Sequence, residues 1–266
     1  MFSAGPVCDN APMEYDLSLG FIVLLIGTGV VAGFINTIAG GGSMLTLPAL
    51  MILGLPADIA NGTNRVGILL QSIAGARRFH QKGKLEPHTI VPTLIPALSG
   101  SLFGALLASY LPVIWLKPAL LFTMLLMAAI MLVKPSVVAP PAGTPTYTLQ
   151  ERPMAWVGLF LGGVYGGFVQ AGIGFILIVV LAGTLRYDLV RTNALKMAIT
   201  AALTVVALGV FVVRQQVLII PGLVLAVGMV LGALASVQFA INVKQDVLKW
   251  IMFFMIILVC LQAYFS

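Results

Sequence analysis

Charge is what this chain has least of. Asp, Glu, Lys and Arg make up 8% of its 266 residues, against about 25% in soluble domains. A chain so poor in charge, and 60% hydrophobic, cannot clothe a single core in a water-facing surface. Its apolar runs are too long and too many, and they are continuous rather than alternating, which excludes a β-barrel. The expectation is an all-α polytopic membrane protein. Cysteine and histidine are nearly absent, with two of each. Cys8 lies in a polar tail, Cys260 lies inside the last apolar run, and His80 and His88 flank a loop, so no disulfide framework and no metal spacing is spelled out. No histidine or acidic residue falls in the middle of a span, and neither HExxH nor GxSxG occurs. The usual equipment of an embedded hydrolase is missing. The chain reads as no enzyme, with no cofactor and no metal. Residues 1–16 carry Asp9, Glu14 and Asp16 but no Lys or Arg, which is not the pattern of a signal peptide.

The cations that are present sit mostly between the apolar runs. The net charge of +6 therefore orients the chain in a lipid bilayer and does not signal nucleic-acid binding. The runs are Leu17 to Ile38, Met44 to Leu55, Thr63 to Phe79, Ile90 to Leu111 and Ile114 to Val133. After a Pro- and Thr-rich stretch at 134–152 come Pro153 to Gln170, Phe175 to Leu185, Thr192 to Val213, Val217 to Phe239 and Val247 to Phe265. Two of these, Met44 to Leu55 and Phe175 to Leu185, are too short to span alone, since a span needs about 20 residues. The expectation is about 8–10 membrane segments: an extracytoplasmic tail at 1–16, a first repeat at 17–133, a cytoplasmic linker at 134–152 and a second repeat at 153–266. Trp115, Trp156 and Trp250 near span ends read as an interface belt, and the glycines of 158–167 and 228–235 as close helix packing.

The duplication rests on motifs. Gly33-Phe34-Ile35-Asn36 answers Gly167-Phe168-Val169-Gln170, and Ala39-Gly40-Gly41-Gly42 answers Ala171-Gly172-Ile173-Gly174. Asp58 answers Asp188, Thr63-Asn64 answers Thr192-Asn193, and each is followed by a cation, Arg65 or Lys196. Glycine-rich breaks at membrane depth need protein packing or a wet cavity around them, and paired broken helices mark the binding site of duplicated transporters. Counting cations by side puts Arg77, Arg78, Lys82, Lys84, Lys134, Arg152, Arg186, Arg191, Lys244 and Lys249 inside and Lys117 and Arg214 outside. This bias favours inverted repeats with both termini outside.

Two readings stand for Arg65 and Lys196: snorkelling to the interface, or an anion site. In the second, helix starts at Asn61–Asn64 and Thr192–Asn193 and the breaks at Gly40, Gly41, Gly42, Gly172 and Gly174 offer N–H groups to an oxyanion, beside Asn, Thr and a cation. Asn36 and Gln170 either bind ligand or tie off freed carbonyls. Ser43 caps the short helix in one reading and lines the site in the other. Asp58 and Asp188 either start helices or carry protons. A channel is a further alternative.

The stretch Gly33-Phe34-Ile35-Asn36-Thr37-Ile38-Ala39-Gly40-Gly41-Gly42-Ser43, with Leu47-Pro48, Gly54-Leu55-Pro56 and Ala60-Asn61-Gly62-Thr63-Asn64, resembles the sulfite exporter TauE/SafE family. The likeness extends to length, duplicated halves and the weaker motif at Gly166–Gly174. It implies a permease of the bacterial inner membrane that exports sulfite or small organosulfonates such as sulfoacetate. A homodimer is compatible with it, and so is transport of another small organic anion.

Overall fold

The computed structural model describes residues 18–120, 122 and 145–242. Expectations for the 1–16 tail, most of the fifth run, residues 134–144 of the linker and the last run, with Cys8, Cys260, Trp250, Lys134, Lys244 and Lys249, lie outside them. Among the described residues every regular element is helical. In chain order these are α1 (Leu19–Ile38), α2 (Ser43–Ile52), α3 (Ala57–Gln81), α4 (Pro87–Tyr110) and a helical stretch over 113–120 (α5). Then come α6 (Met154–Phe168), α7 (Ile173–Ile178), which runs on through a π-helical turn at Val179–Thr184, α8 (Leu189–Val213) and α9 (Ile219–Asn242). Four are long and apolar enough to cross a membrane: α1, Thr89–Tyr110 of α4, α8 and α9. α3 is long enough too, with 25 residues, or about 37 Å at 1.5 Å each, but it carries Asn61, Asn64, Arg65, Gln71 and Ser72 on its buried face. The most polar of the long helices is thus sheltered by protein, as buried polar groups in a bilayer must be.

Several helix limits differ from the sequence reading. α3 opens at Ala57 behind Pro56, not at Thr63, because Pro fixes an extended φ/ψ pair ahead of a helix start and Asp58 suits the first turn. α8 opens at Leu189 behind Asp188, whose carboxylate accepts the N–H groups of Val190 and Arg191, each at 3.0 Å. Asp188 is therefore an N-cap.

Packing is reciprocal between the two halves. α1 lies on α9, and α6 lies on α4; α3 packs on α8 and α9, and α8 on α3 and α4. Each of the two outer contacts is a glycine seam. A Cβ on Gly33 would fall 2.1 Å from the Met229 carbonyl oxygen, and one on Gly232 would fall 2.0 Å from that of Val30. At the α4–α6 contact a Cβ on Gly104 would fall 1.9 Å from the Val164 oxygen, and one on Gly167 would fall 2.1 Å from that of Ser101. Gly29/Gly33, Gly228/Gly232, Gly100/Gly104 and Gly163/Gly167 are each four apart, so backbones meet where small residues repeat every turn. Ser101 Oγ and Ser236 Oγ donate across helices to the carbonyls of Leu203 and Phe34 at 2.8 and 2.9 Å.

α3 and α8 run in opposite directions. The start of α3 meets the loop after α8: Gln216 Nε2 donates to Asp58 at 3.4 Å, and Thr63 Oγ1 accepts Leu218 N–H at 2.9 Å. Arg214 stacks on Tyr110 at that end, 4.3 Å from the ring centre. At the other end Arg191, in the first turn of α8, pairs with Glu86, which follows α3, at 2.7 Å. Arg152 and Arg186 gather there on Tyr147, at 4.3 and 6.0 Å.

Candidate functional site

α1 and α6 end alike. Ala39 and Gly40 both return their N–H groups to the Ile35 carbonyl, and Val169 and Gln170 return theirs to that of Tyr165. Gly40 has φ +95° and Gln170 has φ +65°. A left-handed residue just past a helix end is the common way to close the last carbonyls, and glycine adopts it freely. Glutamine does not, so something must hold Gln170 there. The equivalence is therefore Gly40 with Gln170, which corrects the pairing of Asn36 with Gln170 expected from the sequence. Asn36 sits inside α1, buried, with its Cβ close against Gly42. The two breaks touch: a Cβ on Gly40 would lie 2.4 Å from Gly174 Cα. Gly41 and Gly42 follow Gly40 into α2, and Gly172, at φ +83°, precedes α7.

Each cation closes the helix end of the other half. The Arg65 guanidinium donates through Nη1 to the Gly166 carbonyl at 3.0 Å and to Gln170 Oε1 at 2.7 Å. Its Nη2 donates to the carbonyls of Gly167 and Phe168, the latter at 3.3 Å. Asn61 Nδ2 adds a bond to the Phe168 carbonyl at 2.9 Å. Lys196 Nζ, across the molecule, donates to the Thr37 carbonyl at 2.8 Å and to Asn193 Oδ1 at 2.9 Å. Thr37 and Gly167 are each one residue before the end of their helix, so Arg65 and Lys196 meet equivalent carbonyls. A cation at a helix C-terminus satisfies orphan carbonyls and the negative dipole end together. Arg65 is 0% exposed and Lys196 1%. Neither snorkels, so the interface reading is overturned. Among the described residues neither has a carboxylate partner. Carbonyl and amide dipoles meet both positive charges among the described residues.

Gln170 is held through its side chain: Oε1 accepts from Arg65, and Nε2 donates to Thr204 Oγ1, which donates in turn to the Thr200 carbonyl at 2.6 Å. Arg65 also lies 4.6 Å from the centre of the Phe211 ring. Thr204 and Phe211 are parts of the site that the sequence reading missed; their spacing along α8 from Lys196, at eight and fifteen residues, is the one signal that pointed to them.

The remaining expected residues divide. Asn61, Thr63 and Asn64 lie in the second turn of α3 and do not cap it. Thr63 braces the loop before α9, and Thr192 Oγ1 donates to the Tyr187 carbonyl at 3.3 Å. Ser43 is the first residue of α2 and makes no side-chain cap; its carbonyl accepts from Thr46 Oγ1 at 3.4 Å. The anion-binding helix starts expected at Asn61–Asn64 and Thr192–Asn193 are therefore absent, because both helices begin earlier. What the structure offers instead is a pair of matched amides. Asn64 Oδ1 accepts Thr46 Oγ1 at 2.7 Å, and Asn193 Oδ1 accepts Lys196 Nζ. Both asparagines are buried, and among the described residues neither side-chain NH2 group has a partner, nor does Arg65 Nε. A buried unpaired donor costs about 1–3 kcal/mol. The unpaired donors here are Asn64 Nδ2, Asn193 Nδ2 and Arg65 Nε, and Asn61 Oδ1 is an unpaired acceptor beside Arg65. Among the described residues no cluster of His, Cys, Asp or Glu could hold a metal.

The family model described as sulfite exporter TauE/SafE matches residues 25–263. A protein named probable membrane transporter protein ORF9 from a Sinorhizobium species is 28% identical over 238 residues, covering 88% of each chain. A probable membrane transporter protein of Haemophilus influenzae is 28% identical, covering 82% of this chain and 84% of its own. The probable membrane transporter protein YfcA of Escherichia coli K12 is 25% identical over 85% of this chain and 83% of its own. No solved structure matches.

Proposed function

This chain belongs to the sulfite exporter TauE/SafE family, and from that premise we propose that it exports small sulfur oxyanions, sulfite or organosulfonates, across the bacterial inner membrane by alternating access. That it is a multi-pass membrane transporter and no enzyme follows from the family, from the relatives and from the apolar helices. The substrate class rests on one observation: the matched pair Asn64 and Asn193, buried beside Arg65 and Lys196, each with an NH2 group that has no partner among the described residues. An oxyanion supplies the acceptors that these donors lack, and charge-assisted bonds are about twice as strong as neutral ones. Gly40, Gly41, Gly42 and Ser43 on one side, and Gln170, Gly172 and Gly174 on the other, wall the site. Thr63, Asn61 and Thr192 hold its elements in place, and Asn36 is buried against Gly42.

The opposed directions of α3 and α8 support inverted repeats. Arg191 with Glu86, and Arg152 and Arg186 on Tyr147, support one cytoplasmic end, while Arg214 and Tyr110 mark the other. Asp188 is spent as a helix cap, which speaks against a proton-carrying role there. The test is the melting temperature of the detergent-purified protein against sulfite, sulfoacetate, taurine, sulfate, acetate and chloride. A ligand selective for the folded state raises it in a saturable way. Stabilisation by sulfite or sulfoacetate and not by acetate is expected. Stabilisation by acetate alone would assign a carboxylate, and a flat response to all six would remove the substrate assignment.

A further inference from the structure

Below the Arg65 layer, α3 carries two polar side chains that no hydrogen bond explains. Gln71 and Ser72 are both fully buried, and Gln71 Oε1, Gln71 Nε2 and Ser72 Oγ have no partner among the described residues. Gln71 lies seven residues beyond Asn64, two turns or about 10 Å along the helix, toward the Arg77, Arg78 end. Thr200 stands at the same register from Asn193 on α8 and is also buried. On the side of Gln71, one turn to either end, are Gly67 and Gly75. Their missing side chains leave space that methionines fill: a Cβ on Gly67 would lie 2.6 Å from Met229 Sδ, and one on Gly75 would lie 2.6 Å from Met197 Cε. Methionine is the most adaptable apolar side chain, so these walls can re-pack without moving a helix.

We infer that Gln71 and Ser72 form a second, inner anion station on the translocation route, closed in this conformation by Met197 and Met229. The inference deepens the transporter reading and rests on it. A polar group left unpaired in a membrane helix destabilises the fold, and a leucine at 71 would fit the same volume with none of that cost. The Gln71 amide and Ser72 hydroxyl donate to an oxyanion without a charge. Neutral donors suit a station that must release its ion as readily as it takes it. An exported ion entering from the Arg77 and Arg78 end of α3 would reach Gln71 first and the Asn64 and Arg65 level after it.

The experiment compares wild type with Gln71→Leu, Ser72→Ala and the double variant, each purified and reconstituted, reading sulfite flux in liposomes, sulfite binding and melting temperature. The inference predicts that the double variant melts no lower than wild type, binds sulfite with unchanged affinity at the outer level, and loses at least tenfold in flux. Undiminished flux would overturn it and leave the transporter reading intact, with the two side chains holding only a buried water. A lower melting temperature with a parallel loss of flux would assign them a structural role and overturn it too. A wild type that neither binds nor moves sulfite would overturn the inference together with the reading on which it rests.

Discussion

Arg65 and Lys196 do the same task with different chemistry. The guanidinium fork spans three carbonyls and Gln170 Oε1, whereas the ammonium reaches one carbonyl and Asn193. Arg65→Lys therefore cannot reproduce the bonds to the α6 end, and it is expected to lower stability by about 1–3 kcal/mol, read as a fall in melting temperature. An unchanged melting temperature would mean that the α6 carbonyls find other donors. Lys196→Met orphans the Thr37 carbonyl and is expected to destabilise in the same direction by a similar amount, about 1–3 kcal/mol. The sequence marked both cations and the Thr-Asn pairs beside them, because a cation inside an apolar run is conspicuous. It did not reveal that each cation belongs to the opposite half, since that depends on how the halves cross. Gln170 was legible as a polar residue at a break; its left-handed backbone, and the side-chain bonds that hold it, were not.

At the level of elements, some glycines meet backbone, some meet side chains and some meet nothing among the described residues. Gly104→Ala drives a methyl group into the Val164 carbonyl, and overpacking of this kind costs about 1–3 kcal/mol. Gly209, one turn before the end of α8, has no atom of the described residues within 4 Å of its Cβ position; Gly209→Ala is expected to stabilise by up to about 1 kcal/mol through helix propensity. Melting temperatures moving in opposite directions would confirm the seam. A Gly104→Ala protein as stable as wild type would show that α4 and α6 can separate at little cost. Most spans were readable from unbroken apolar runs to within a few residues. The starts of α3 and α8 were not, because Asn61 and Thr192 resemble caps while Pro56 and Asp188 set the true starts. The seam glycines were readable as packing residues, though their partners across the halves were not.

Among the described residues, α3 and α8 each supply a cation that closes the end of a helix distant in sequence, α6 for Arg65 and α1 for Lys196. If the repeats are inverted, residues 81 and 215 lie on opposite sides of the membrane. In a variant lacking Cys8 and Cys260, a single cysteine at 215 should react with an impermeant thiol reagent from outside, and one at 81 should not. Equal reactivity would sink the inverted arrangement and leave parallel halves. The central claim, that the matched asparagines at this interlock hold an oxyanion, is tested most directly by sulfite efflux from liposomes carrying wild type or Asn64→Leu/Asn193→Leu. Wild type is expected to release sulfite, and the double variant, equally well folded by melting temperature, to lose at least tenfold in rate, about 1.4 kcal/mol per decade. Equal efflux from both proteins would contradict the account.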